Sequence, residues 1–414
     1  MNARTSRSPA AALCAAILLA GCAQESRSEP ASARAQVPHG YVEGAEELPE
    51  PQSRLVLAGR QAGQAQVLDL LTGKVSALPG VEGVQDVTGD GRFAYLTTSS
   101  GALRVVDGGG WSVDHGDHSH YYRAAVRDLG TVAGRPPYVV SGDAAVTAVR
   151  SGDGTVRLLD RARLEQGEIA ETGALKAAAV VPYREHLLVA DAGVVRARPR
   201  TGGPGTSTGP STAAGPSTAI GPSAAAGVGA AVGTCDDPAG TAVTRRGVVI
   251  GCADGALLVS EEDGTFKGVK IRYPRGAPER AKEFRHRPGS TTLAAKAGRS
   301  GIWLLDVTAR SWRLLETGPV VAVNAAGPES PVLSLTGDGV LHAHSPVTGE
   351  ESARTKLLAV PLTGSPSIEV DTRRAYVNDP ASRVVHEIDY GDGLRRARTF
   401  DAGPAAAHMT ETGR

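Results

Sequence analysis

Residues 111–122 read WSVDHGDHSHYY and set His115, His118 and His120 beside Asp114 and Asp117. Three of the ten histidines of this 414-residue chain therefore fall within one short run. Imidazole nitrogens are favoured ligands of zinc, at about 2.0 Å in tetrahedral geometry. If His118-Ser119-His120 lies on a strand, both imidazoles point to one face with Cα atoms roughly 6.6 Å apart, close enough to converge on one ion. Gly116 permits a turn that folds His115 back as a third ligand. Asp114 and Asp117 fit either as ligands or as acceptors that fix an imidazole's tautomer. The competing reading of the same run is a solvated polar loop. VLHAHSP supplies a second same-face pair, His342 and His344, and His39, His186, His286, His386 and His408 are the other histidines available for a further ligand.

Catalytic patterns are scarce by comparison. The sequence has no G-x-S-x-G elbow, no H-E-x-x-H and no phosphate-cradling glycine loop. The Gly-Asp-Gly triplets at 89–91, 152–154 and 337–339 read as turns, because none carries the full acidic spacing of a calcium loop.

The elements that must position the histidines recur along the chain. RLVLAG with QAQVLDLLTG, GRFAYLTTSSGALRVVD, YVVSGDAAVTAVRSGDGTVRLLD and EHLLVADAGVVRAR come first. GVVIGCADGALLVSEEDG, STTLAAKAGRSGIWLLD, SPVLSLTGDGVLHAHSPVTG and RRAYVNDPASRVVHEIDYGDG follow. Each alternates apolar and polar residues at period 2 between Gly, Asp, Asn or Pro, as antiparallel strands require. One such unit cannot bury both faces of its own sheet, and stacking units around an axis does. The reading is an all-β fold: a single β-propeller over residues 54–414 with seven or eight blades, eight favoured. No stretch shows sustained helical periodicity.

Two segments stand outside the repeats. Residues 22–53 are rich in Ser, Ala, Glu and Pro and read as a tether. TGGPGTSTGPSTAAGPSTAIGPSAAAG, from Thr201, repeats a G-P-S/T-x-A phrase with almost no large apolar residue, which predicts a disordered insertion over 201–233. Before the tether, Arg4 and Arg7 precede a short apolar run, Ala10 to Ala20, and then Leu19-Ala20-Gly21-Cys22. This is the pattern of a lipoprotein signal over 1–21 with Cys22 as the lipidated residue. It places the mature protein outside the cytoplasm, held to a bacterial membrane by a lipid. Beyond the signal no apolar run is long enough to span a bilayer.

Cys235 and Cys252 then remain, and in an oxidising compartment they most simply form one disulfide. Thiolate ligation of a metal is the alternative. The 44 basic and 44 acidic residues are mixed without a basic block, which argues against a nucleic-acid partner.

HGDHSHYY, taken with HGYVEGAEELPEPQSRLVLAG, GCADGALLV, YVNDPASRVVHEIDYGDG and the terminal HMTETGR, resembles the AztD-type periplasmic zinc metallochaperones. Those are β-propellers associated with a zinc ABC importer, whose solute-binding protein receives the metal. The resemblance runs from about residue 39 onward, with the insertion as an extra. It implies a zinc site drawing on His118, His120 and His408, with His115 and Asp117 also matching the motif. It implies binding and handover rather than turnover, with the importer's solute-binding protein as partner. One departure stands out: where the family pattern implies a histidine four residues after the first cysteine, this chain has Ala239. Two rival classes are a protein-binding propeller with incidental histidines and a propeller enzyme of the lactonase or quinoprotein kind.

Overall fold

The computed structural model describes residues 43–114, 118–200 and 229–414. The signal, Cys22, most of the expected tether, His115, Asp117 and residues 201–228 lie outside them. Among the described residues there are nine antiparallel sheets; eight follow one another, each corresponding to one repeat unit of the sequence, and the ninth is a small three-stranded sheet inserted within the second. The chain is a β-propeller of eight blades. Blade 1 holds Arg54–Ala58, Ala65–Asp69 and Val75–Ala77, and blade 2 holds Val84–Gly89, Phe93–Thr98, Leu103–Asp107 and Arg127–Val132. Blades 3 to 8 span 139–176, 179–234, 241–272, 292–315, 320–356 and 368–401.

The ring closes through the closing strand, His408–Thr412, which pairs antiparallel with Arg54–Ala58 and so becomes the innermost strand of blade 1. Blade 6 keeps three full strands. Its innermost place is reduced to a single bridge between Arg285 and Ala294.

Burial explains why the alternating sequences settle this way. In blade 7, Val320–Gly327 is almost wholly buried, whereas the outer strand Glu351–Lys356 alternates exposed and half-buried residues. Inner strands have a neighbouring blade on both faces; outer strands carry Glu, Arg and Lys, which also blunt an open sheet edge. Eight hydrophobic clusters fill the eight junctions between successive blades, from Val56, Val67 and Leu96 between blades 1 and 2 to Leu57, Tyr376 and Met409 between blades 8 and 1. The core is thus a ring of interfaces.

Cys235 and Cys252 form the expected disulfide, with Cα atoms 5.1 Å apart, and both are buried in the junction of blades 4 and 5. Three boundaries differ from the sequence reading. Ala230–Thr234, of which all but Thr234 was placed in the insertion by its composition, is the outer strand of blade 4 and pairs with Val194–Pro199. Glu46–Leu48, placed in the tether, is a strand. Arg161–Gln166 is a short helix between strands of blade 3, capped by the Asp160 side chain and ended by Gly167, and too brief to leave a periodic signature.

Candidate metal centre

The histidine run is carried on a hairpin that blade 2 extrudes between its third and fourth strands. Its arms are Gly110–Asp114 and Ser119–Arg123, in register Trp111↔Tyr122 and Val113↔His120. Glu46–Leu48 lies along the second arm as a third strand, in register Glu47↔Tyr122. The pleat sorts these residues by face. Trp111, Val113, Tyr122, His120 and Glu47 share one side; Tyr121, Arg123, Glu46 and Leu48 take the other. Arg123 and Glu46 form an ion pair there at 2.8 Å.

The stem of the hairpin is fixed by Asp107, which is fully buried. Its carboxylate accepts from Arg92 at 3.2 Å, from Arg127 at 2.7 Å and from the Gly109 N–H at 2.9 Å. The Glu165 carbonyl in the short helix accepts from the same two arginines, which ties blade 3 to the stem. Arg92 lies 3.7 Å over the Trp111 ring, and Trp111 stacks on Tyr122 at 5.4 Å. Three consecutive glycines, 108–110, let this stem pass close to its neighbours. A Cβ on Gly108 would come within 2.2 Å of Thr412 Oγ1, and one on Gly109, where φ is +71°, within 2.6 Å of the Ala124 carbonyl.

On this platform the two imidazoles converge. His118 Nε2 and His120 Nε2 are 3.2 Å apart, and the rings meet edge to face with centroids 5.0 Å apart. His120 Nδ1 lies 2.6 Å from Glu47 Oε1. A carboxylate accepts, so Nδ1 carries the proton and the lone pair of His120 is directed through Nε2. The His118 Nε2–H then donates to it. Two nitrogens held by one tetrahedral zinc at ordinary bond lengths are about 3.3 Å apart, close to the separation that the N–H···N hydrogen bond sets here. The carboxylate behind His120 is the arrangement that fixes the tautomer of a metal-binding imidazole and raises its basicity.

Not every expected ligand joins them. His408 is the first residue of the closing strand, buried beside Ala58, while the hairpin stem touches Gly413 past the opposite end of that strand. Five residues of extended chain separate those positions by about 17 Å. Burial, with Arg60 adding, pushes the His408 imidazole below its ordinary value. Its Nε2 has no partner among the described residues. Among the described residues His408 does not join the pair in a ligand group. Ala239 belongs to blade 5, with its N–H on the Gly251 carbonyl. Among the described residues no third His, Cys, Asp or Glu completes a ligand group with the pair.

His342 and His344 do share a face, as their spacing predicts, but their rings stack at 6.0 Å instead of converging. His342 pairs with Glu351 at 2.6 Å and reaches Thr336 Oγ1 at 3.1 Å, on the wall of a cavity of about 280 Å³. The residue at the candidate site that the sequence did not reveal is Glu47. A three-residue strand inside a polar linker has no periodicity to read, and its partner lies 73 positions away.

With this geometry in place, known structures can be compared. AztD from Citrobacter koseri superposes with a TM-score of 0.70 at 17% identity, covering 88% of this chain and 99% of its own. Apo AztD from the same organism gives 0.70 at 18%, over 88% and 98%. The fold is AztD-like. Dihydro-heme d1 dehydrogenase NirN, solved in complex with DHE, gives 0.52 at 15% over 86% and 74%. No protein-family model and no curated sequence matches the chain. The likeness to AztD therefore stands on three-dimensional structure and concerns the fold.

Proposed function

We propose that this propeller is an extracytoplasmic zinc carrier, not an enzyme, and that it holds the ion on the hairpin through His118 and His120. The observation that carries this reading is the His118–His120 pair, its Nε2 atoms 3.2 Å apart and one ring backed by Glu47. His115 or Asp117, next to the pair in sequence, is the proposed third ligand, and the fourth position is left exchangeable. The AztD-like fold supports the reading, as does the disulfide, which fits an oxidising compartment.

Three protein ligands plus one exchangeable position suit transfer better than a closed four-ligand site does, because an acceptor can enter the coordination sphere before the donor leaves. The proposed acceptor is the solute-binding protein of a zinc ABC importer. A lipid on Cys22 would keep donor and importer on one membrane and raise their effective concentration.

The test is zinc stoichiometry on metal-stripped mature protein, by competition with a chromophoric chelator. Wild type should take up about one zinc per chain, lost in the His118→Ala/His120→Ala double variant. Equal uptake by both proteins, or none by either, would overturn the assignment. A protein-binding propeller with incidental histidines would then be the better reading.

A further inference from the structure

Residues 46–48 form the outer strand of the hairpin sheet, and they have little to hold them there. The strand has one ladder neighbour and only three registered pairs. Glu46 and Glu47 are exposed and Leu48 is half-buried. Its side-chain anchors are the Glu47 contact to His120 and the Glu46 ion pair with Arg123. Such an edge opens at low cost, unlike the blades behind it. Yet it delivers the carboxylate that fixes the tautomer of one imidazole in the pair.

We infer that residues 46–48 act as a metal-linked clip: Glu47 is a positioning residue that sets the affinity of the histidine pair, and the clip docks more firmly when the pair is occupied. The inference rests on the zinc-binding reading of that pair. A cation on Nε2 withdraws electron density from the imidazole and makes Nδ1–H a stronger donor to Glu47. The same hydrogen bond makes Nε2 a better ligand. Coupling of this kind is reciprocal: the factor by which docking raises zinc affinity equals the factor by which zinc favours docking. An acceptor protein that peeled residues 46–48 from the hairpin would therefore loosen the ion without touching it. The clip also lies, in sequence, between the propeller and the expected lipid anchor.

The experiment uses the full mature chain with zinc as the probe. Chelator competition on wild type, Glu47→Gln and Glu47→Ala is combined with hydrogen exchange of the 46–48 amides, with and without zinc. Glu47→Ala should keep one zinc per chain and bind it about 10- to 100-fold more weakly. Glu47→Gln, whose amide oxygen can still accept from Nδ1–H, should fall between the two. Zinc should slow exchange at 46–48 in wild type and not in Glu47→Ala. A thermal midpoint shared by all three proteins shows that the fold is intact. Wild type that binds zinc, with Glu47→Ala within twofold of it or with exchange at 46–48 indifferent to zinc, overturns the clip alone. Wild type that takes up no zinc overturns the carrier reading beneath it.

Discussion

At the scale of single residues, the candidate site depends on a buried charge well away from the imidazoles. Asp107 is the common acceptor for Arg92, Arg127 and the Gly109 N–H, and the Arg92 side chain is only 3% exposed. Breaking a buried pair from one side costs more than the pair contributes, because the remaining charge is left in a low-dielectric interior without its partner. Asp107→Asn keeps the shape and removes the charge, and it is expected to cost about 3–5 kcal/mol in urea unfolding. The loss should reach the site, since Arg92 is also the cation over Trp111 and Trp111 supports Tyr122. A cost below about 1 kcal/mol would mean that the hairpin stem is held chiefly by its backbone ladder.

At the scale of elements, the hairpin is a blade strand pair interrupted by an excursion, and its glycine stem makes the excursion possible. Gly109→Ala puts a Cβ at positive φ and within 2.6 Å of the Ala124 carbonyl. The backbone conformation alone should cost about 1–3 kcal/mol, and the contact should add to it. Urea midpoints of wild type and variant check this; equal midpoints would show that the stem can rearrange freely.

The same contrast explains how much was legible in the sequence. The eight units could be read because each places apolar residues at period 2 in short strands separated by turn residues, and the fold has no other way to bury both faces. His118 and His120 could be placed on one face for the same reason. Glu47 could not, because its three-residue strand owes its existence to a partner far along the chain. Ala230–Thr234 could not, because AAVGT has the composition of the insertion before it and becomes a strand only by pairing with blade 4.

At the scale of the whole molecule, stability belongs to the ring, and two buried groups near its closure act on it in opposite directions. Glu411 of the closing strand is fully buried, and burial pushes its carboxyl up to about 7, against the pull of Arg414. His286, half-buried beside the bridge that serves blade 6, is pushed down to about 4 by burial, with Arg414 and Arg285 adding. A carboxyl raised from 4.5 keeps a proton in the folded chain that the unfolded chain has lost, so its contribution makes stability fall as pH rises from about 4.5 to about 7. A histidine lowered from 6.5 stays neutral while the unfolded chain protonates, so its contribution makes stability fall as pH drops from about 6.5 toward 4. Across pH 4.5–6.5 the two slopes oppose each other, each at most about 1.4 kcal/mol per pH unit. Wild type should therefore show little pH dependence from this pair. Glu411→Gln should expose the histidine slope and lose up to about 2–3 kcal/mol between pH 6.5 and 4.5; His286→Gln should show the reverse trend over the same window. Urea unfolding of metal-stripped protein at several pH values separates the cases. If all three proteins share one slope, neither group titrates between the folded and unfolded chains, and the closure of the ring is indifferent to pH.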